Sequence, residues 1–354
     1  MPSSTTPPTS TTPLESLQRD GFVIIPSFLS PTDPKFETLY KAAKEATRLA
    51  RTGKWPYFRT VPKQFPPWPT TTPPPASEGG IWGVQHLLHP DLAGREEFAK
   101  FYFSDDVLGV VEELLLPGTE SGNGNNTTAT SKKKNTNNSD NDDEPLVMEL
   151  FNLLVAPETK DFQLRWHRDD IPSTVSPEEE LNQLLSKSAT SDGPGRQSHA
   201  QYNLALCEDD SLIVIPGSHR RVRTEIERAA DPYEPSLPGQ IVVKLQPGDA
   251  VFYDSNIVHR GVYRAKPEGG EETRLTVHGS VGLKDKATTT AGEEGQSQSK
   301  ARARQVLQHG VGPWGRREDA GFSRIAGIGE RAEKMRGNLV AMGSGDGIGF
   351  SLDG

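Results

Sequence analysis

Two short stretches of this chain carry residues of the kind that hold metal ions: Trp166-His167-Arg168-Asp169-Asp170 and Val258-His259-Arg260-Gly261. On an extended strand residues i and i+2 face the same way, so His167 and Asp169 would point together and Arg168 opposite. A second histidine from a distant strand would place two imidazoles and one carboxylate on one face of a divalent metal. Such a face leaves three coordination positions open, the arrangement in which non-haem Fe(II) sites bind a cosubstrate and oxygen side by side. The His-x-Asp triplet alone is a weak signal, because surface and capping roles produce it too. Its context strengthens it. His259 lies 259 − 167 = 92 residues further on, after Leu245-Gln246-Pro247-Gly248-Asp249-Ala250-Val251-Phe252-Tyr253, which reads as strand, tight turn and strand and would deliver His259 from a neighbouring strand.

These residues need a scaffold, and the pattern along the chain predicts one. Leu14 to Asp20 starts a short helix that leads into the β-branched run Gly21-Phe22-Val23-Ile24-Ile25. Pro34 to Thr52 and Asp105 to Leu116 have helical spacing, the first with Phe36, Leu39, Ala43 and Ala46 on one side, the second with Val107, Val110, Val111 and Leu114. From Val147 the pattern changes to short strands: 147–156, 163–168, 201–207, 212–215, 240–245, 250–253 and 274–281. Pro, Gly and Asp clusters punctuate them. Many short strands behind a helical front predict a mainly β fold with flanking helices, a sandwich or jelly roll. A helix is expected over 301–308, while the Gly-rich stretch beyond Gly310 predicts nothing definite.

Four segments are too polar and repetitive to offset their ordering entropy: 1–13, 69–80, 119–144 and about 287–300. The expected organisation is a disordered tail over 1–13, one domain over 14–284 with a disordered insertion at 119–144, and a partly low-complexity extension over 285–354.

Composition excludes several classes of function. Lys plus Arg is 39 against 48 Asp plus Glu, a net charge of −9, and no basic stripe with interleaved aromatics offsets it, so no nucleic-acid partner is expected. A single cysteine, Cys207, allows neither an intramolecular disulfide nor a multi-cysteine zinc site and suits a reducing compartment. The N-terminal residues lack a basic start and an apolar run, no stretch reaches eighteen apolar residues, and the final Ser-Leu-Asp-Gly is not a peroxisomal signal. The expectation is a cytoplasmic protein with no membrane partner.

Four stretches together resemble the phytanoyl-CoA dioxygenase family of Fe(II)- and 2-oxoglutarate-dependent oxygenases: Arg19-Asp20-Gly21-Phe22-Val23-Ile24, Trp166-His167-Arg168-Asp169, Ser211-Leu212-Ile213-Val214-Ile215-Pro216-Gly217-Ser218-His219, and Pro247-Gly248-Asp249 through His259. The resemblance runs in order over about 14–284. It implies a double-stranded β-helix, with His167, Asp169 and His259 as catalytic iron ligands and with 2-oxoglutarate and O2 as cosubstrates. It also implies an arginine beyond the distal histidine that pairs with the far carboxylate of 2-oxoglutarate, a task suited to a planar, bidentate fork. Arg274 is the candidate, on a strand face shared with Thr276, His278 and Ser280. The spacing of 274 − 259 = 15 exceeds what is usual in the family, and Pro267-Glu268-Gly269-Gly270-Glu271 would absorb the excess. Arg264 is expected to be solvated. Asn203, where the family often has tryptophan, and Thr276 are further candidate cosubstrate contacts. Asp209-Asp210 replaces the family's usual Asn-Gly and is expected to alter only a turn. The presence of Asp169 rather than a small residue argues against halogenation. The implied activity is hydroxylation of a small organic substrate with release of succinate and CO2. A cupin-type hydrolase or isomerase using the same ligands, and a non-enzymatic binding module on a degenerate oxygenase fold, are the alternatives. The intact ligand set weighs against the second.

Other polar residues have plainer readings. His219 is expected to cap or pack a turn, and His86 and His89 to be structural rather than pocket-lining. His278 is divided between a role near the cosubstrate and a supporting hydrogen bond. Arg168, Arg220, Arg221 and Arg223 are expected to be solvated. The aromatic, Pro-rich Lys54 to Trp68 would cover the barrel mouth or pack the helical front onto the sheet.

Overall fold

A capping box opens the fold: Thr12 Oγ1 accepts from the Glu15 amide at 3.2 Å, and the Thr12 amide donates to Glu15 Oε2 at 2.8 Å. It starts α1 (Pro13–Asp20), which stops at Gly21 with φ 82°. A β-carbon at Gly21 would sit 2.5 Å from His219 Nδ1, so this turn needs glycine for both its backbone and its close approach. The front continues through β1 (Phe22–Ile25), α2 (Pro34–Arg51), β2 (Phe58–Thr60), β3 (Ile81–Val84), α3 (Arg95–Tyr102) and α4 (Asp105–Leu115). The computed structural model describes residues 12–63, 72–116, 144–190, 193–194, 197–284 and 298–344. Nearly all of the tail and of the 119–144 insertion, and most of 287–300, lie outside the described residues.

The back half runs β4 (Leu146–Val155), β5 (Phe162–Gln163), α5 (Pro177–Ser188), β6 (Ala189–Thr190), β7 (Gly193–Pro194), β8 (His199–Ala205), β9 (Leu212–Val214), α6 (Glu225–Ala229), β10 (Ile241–Val242), β11 (Ala250–Tyr253), β12 (His259–Tyr263) and β13 (Leu275–Leu283). Seven strands form a large antiparallel sheet in the order β1-β11-β8-β13-β4-β3-β2, and four form a smaller one, β10-β9-β12-β5. From β4 onward the chain passes back and forth between them: β4 is in the large sheet, β5 in the small, β8 large, β9 and β10 small, β11 large, β12 small, β13 large.

Period-two alternation divides the large sheet into two chemically different faces. Phe151, Leu153, Tyr202, Leu204, Phe252 and Val277 point to one side, where they pack with Leu39, Phe98, Tyr102 and Val111 of the helices. Gln201, Asn203, Tyr253 and His278, with Leu150 and Leu154, face a cavity on the other side. The helical front therefore braces the sheet from outside, and the functional groups lie between the sheets. Part of the 54–68 segment becomes β2, which adds to the sheet edge through β3; residues 64–71 lie outside the described residues.

The C-terminal region is built into the same core. It comprises α7 (Gln298–Val306), a π-turn over Leu307–Val311, α8 (Gly312–Gly315) and α9 (Glu330–Met342). Trp314, Phe322, Ile325, Met335 and Leu339 are buried with the residues that the helices and the large sheet share. Gly interrupts the stretch before α9, and only Ala332, Met335 and Leu339 keep a helical spacing. Among the described residues no helix is long and apolar enough to cross a membrane.

Candidate metal centre and its cavity

His167 and His259 face each other as an isolated antiparallel bridge, each amide donating to the other's carbonyl at 3.0 Å. Sequence spacing predicts a continuous strand over 163–168, but regular pairing stops at Gln163. Gln163 is opposite Val262 whereas His167 is opposite His259, so four residues on one side span three on the other. The extra residue acts as a bulge and re-aims the segment. Trp166 follows it out of the ladder, its amide donating to Pro232 O at 2.8 Å.

Each histidine is fixed by its own backbone. His167 Nδ1 is 2.7 Å from Arg165 O and His259 Nδ1 is 2.9 Å from Ile257 O. A carbonyl can only accept, so each Nδ1 carries the proton and each Nε2 keeps a free lone pair. Both Nε2 atoms turn toward Asp169 Oδ1, at 3.3 Å from His167 and 3.7 Å from His259. The three donor atoms lie within 4.8 Å of one another, close enough for one ion to touch all three. Burial, and then the neighbouring His167, push the His259 pKa down to about 4, which keeps the ring neutral and able to ligate at ordinary pH. Partial burial works against the Asp169 charge, and Gln201 Nε2, which donates to Oδ2 at 2.8 Å, works for it. Two neutral imidazoles and one carboxylate, each held from behind, fit a divalent first-row metal.

The site opens into a cavity of about 810 Å³ between the two sheets. Arg274 lies in its wall, 6% exposed, with Nε 3.2 Å from Asp209 Oδ2 and its guanidinium 4.2 Å from the Tyr263 ring centroid. Its Nη1 is buried with no hydrogen-bond partner among the described residues, so one donor of a buried cation is left over. Arg264 is different: its side chain is 75% exposed and only 3.7 Å from Asp210. Asn203 lines the cavity and its Oδ1 is 2.8 Å from His278 Nδ1. Thr276 is buried with its Oγ1 2.5 Å from Asp209 Oδ2, so it holds the partner of Arg274 and is not among the residues lining the cavity. Asp209 thus does more than shape a turn.

The plainer readings divide. His219 packs under α1, its Nε2 3.2 Å from Gln18 O, and His86 and His89 are buried among Trp55, Tyr57 and Trp314, outside the cavity lining. Arg168 and Arg223 are buried, contrary to the solvated expectation, because both pair with the fully buried Glu180. Sequence reasoning also missed the cavity roof. Ala301, Arg302, Gln305, Val306 and His309 come from α7 and its π-turn, and Arg302 pairs with Glu149 at 3.1 Å and lies 3.7 Å from Asp170. Only their helical spacing could have hinted at a shared face.

No protein-family model matches the sequence, and no curated protein matches it. Solved structures similar to it include EctD from S. alaskensis with 2-oxoglutarate and 5-hydroxyectoine, at 16% identity over 76% of this chain and 74% of that one, TM-score 0.44. AviO1 from Streptomyces viridochromogenes Tue57 has 18% identity over 79% and 96% of the two chains, TM-score 0.44. HygX from Streptomyces hygroscopicus with nickel, 2-oxoglutarate and hygromycin B has 15% identity over 77% and 86%, TM-score 0.44. Likeness of this degree leaves reaction and substrate to be argued from the site itself.

Proposed function

We propose that this protein is an Fe(II)- and 2-oxoglutarate-dependent dioxygenase that hydroxylates a small organic substrate, a member of the phytanoyl-CoA dioxygenase family, which four of its stretches resemble. One observation carries the reading: three convergent donors of the right type share a cavity with a buried arginine that has a donor to spare. The strand path supports it. Alternation between two antiparallel sheets, with β4-β13-β8-β11 in one and β5-β12-β9-β10 in the other, is compatible with a double-stranded β-helix.

In this reading His167, Asp169 and His259 hold Fe(II), and Gln201 keeps the Asp169 carboxylate aimed. Arg274 binds the far carboxylate of 2-oxoglutarate through Nη1, with Asp209 and Thr276 fixing the guanidinium and Asn203 and His278 bordering the same wall. Bound iron with 2-oxoglutarate supplies an oxidant from O2, with succinate and CO2 as coproducts. The sheets and the α7 roof contribute a site shielded from bulk water, in which the arginine is worth more than it would be in solvent.

The test is succinate formation from 2-oxoglutarate after anaerobic Fe(II) loading and admission of O2. The wild-type protein is expected to form succinate, and His259→Ala to lose both succinate formation and tight Fe(II) binding, since two remaining ligands rarely hold a labile ion. Tight metal binding without any succinate would favour the hydrolase or isomerase alternative instead.

A further inference from the structure

We infer that Arg168, the residue between the two ligands on the 167–169 segment, is a positioning residue that locks both ligand-bearing segments of the metal site together. The inference rests on the metal reading above. Arg168 points away from His167 and Asp169 and is 1% exposed. Its Nε donates to Glu180 Oε1 at 2.8 Å, Nη2 to Arg221 O at 2.8 Å, and Nη1 to Ser218 O at 3.0 Å and also to Asn256 O. Asn256 lies three residues before His259. Ser218 Oγ accepts from the amide of Val258, the residue next to His259, at 2.7 Å. One planar group rooted between two ligands therefore grips the chain that leads into the third.

The far end of the grip is anchored. Glu180 of α5 is fully buried and accepts from the Arg223 amide at 3.1 Å, from Arg223 Nη1 at 3.1 Å and from Arg228 Nη2. Arg223 Nη2 in turn donates to Ile171 O at 3.2 Å, two residues past Asp169. The bridge between His167 and His259 fixes the two segments along the ladder. The Arg168 fork fixes them through a second, side-chain set of bonds, so the bulged, irregular 164–169 stretch cannot swing its ligands apart. Lysine keeps the charge but cannot reproduce a planar set of donors reaching three carbonyls and a carboxylate at once. A site whose donors must converge on one ion is sensitive to displacements well under an ångström.

Cobalt(II) is a suitable probe because it reports ligand geometry in its visible spectrum without O2 chemistry. The metal-free full chain is titrated with Co(II) to give an affinity and a spectrum, and its melting temperature is measured alongside. Arg168→Lys is expected to weaken Co(II) binding tenfold or more and to alter the spectrum. Arg228→Lys disturbs the same buried carboxylate but touches neither ligand segment; it is expected to lower the melting temperature while leaving the affinity within about twofold of the parent. Glu180→Gln, the choice if Arg168→Lys does not fold, is expected to weaken binding in the same direction by severalfold. Unchanged affinity in Arg168→Lys, or in Glu180→Gln where that stands in, overturns the inference, as does equal weakening in Arg228→Lys, which would make the knot a general stabiliser. A parent protein that binds no Co(II) overturns the metal reading and this inference together, whereas a binding parent with an indifferent Arg168→Lys overturns this inference alone.

Discussion

Which lone pair a histidine can offer depends on where its other nitrogen is bound, and His167 and His259 are both committed by a carbonyl two residues back in their own chain. The same local rule separates the two arginines past His259. Arg274 is buried against Asp209 and Tyr263, while Arg264 is largely in solvent. Arg274→Ala is expected to raise the 2-oxoglutarate KM by roughly 10²-fold or more, since losing one partner of a buried charge pair costs about 3 to 5 kcal/mol. Arg264→Ala is expected to change it less than about threefold, and the reverse ranking in steady-state kinetics would move the clamp to Arg264. Residue type made these groups legible in the sequence, because few side chains can ligate a metal or clamp a carboxylate. Gln201, Asp209 and Arg168 were not legible as supports. Their roles depend on partners 32, 65 and 88 positions away in the chain, and a glutamine or aspartate in a strand-rich region looks the same whether or not such a partner exists.

At the scale of elements, strands 250–253 and 212–215 and the first long helix follow from turn punctuation and apolar spacing, and they form within a residue or so of where the pattern puts them. The bulge before His167 and the burial of the C-terminal region do not follow, because each is set by tertiary contacts that override local preference. Besides the buried Ala303 and Val306, Arg302 ties the α7 roof to the sheet. Arg302 reaches from α7 to Glu149 on β4, and the carboxylate is 3% exposed. Removing only the cation strands a buried charge, so Arg302→Met should lower the melting temperature by several degrees. The double variant Arg302→Met with Glu149→Leu should recover most of that loss, because an apolar pair of similar volume replaces a buried ion pair at little cost. Calorimetry of the two variants measures this; a double variant less stable than the single would show that the pair itself, rather than its integrity, sustains the roof.

For the whole molecule, buried histidines set the response to acid. Burial pushes His86, His278 and His309 down to about 3 and His89 and His219 down to about 4. In the unfolded chain each titrates near 6.5, so below that pH the unfolded state takes up protons that the folded state refuses. Their contribution is complete above about pH 7 and falls as pH drops toward 4, by up to about 1.4 kcal/mol per group per pH unit. Asp254, raised to about 6 chiefly by burial, acts the opposite way but is one group against these five together with His199 and His259, which burial also lowers. The melting temperature of the metal-free protein is therefore expected to fall by roughly 5 °C or more between pH 7.5 and 5.5, and a flat or rising profile would contradict the neutral, buried state of these rings.

The place of β13 in the large sheet bears on how the protein is made. Reading across the sheet, β13 separates β4-β3-β2 from β8-β11-β1, and it is the last strand of either sheet to leave the ribosome. Until residue 283 has emerged the two halves have no common member, and β4, paired with β3 on one side, has neither its β13 neighbour on the other nor the α9 cover that follows still later. The nascent chain must therefore carry an unpaired β4 edge through more than a hundred residues of synthesis, the circumstance in which open strand edges recruit chaperones or one another.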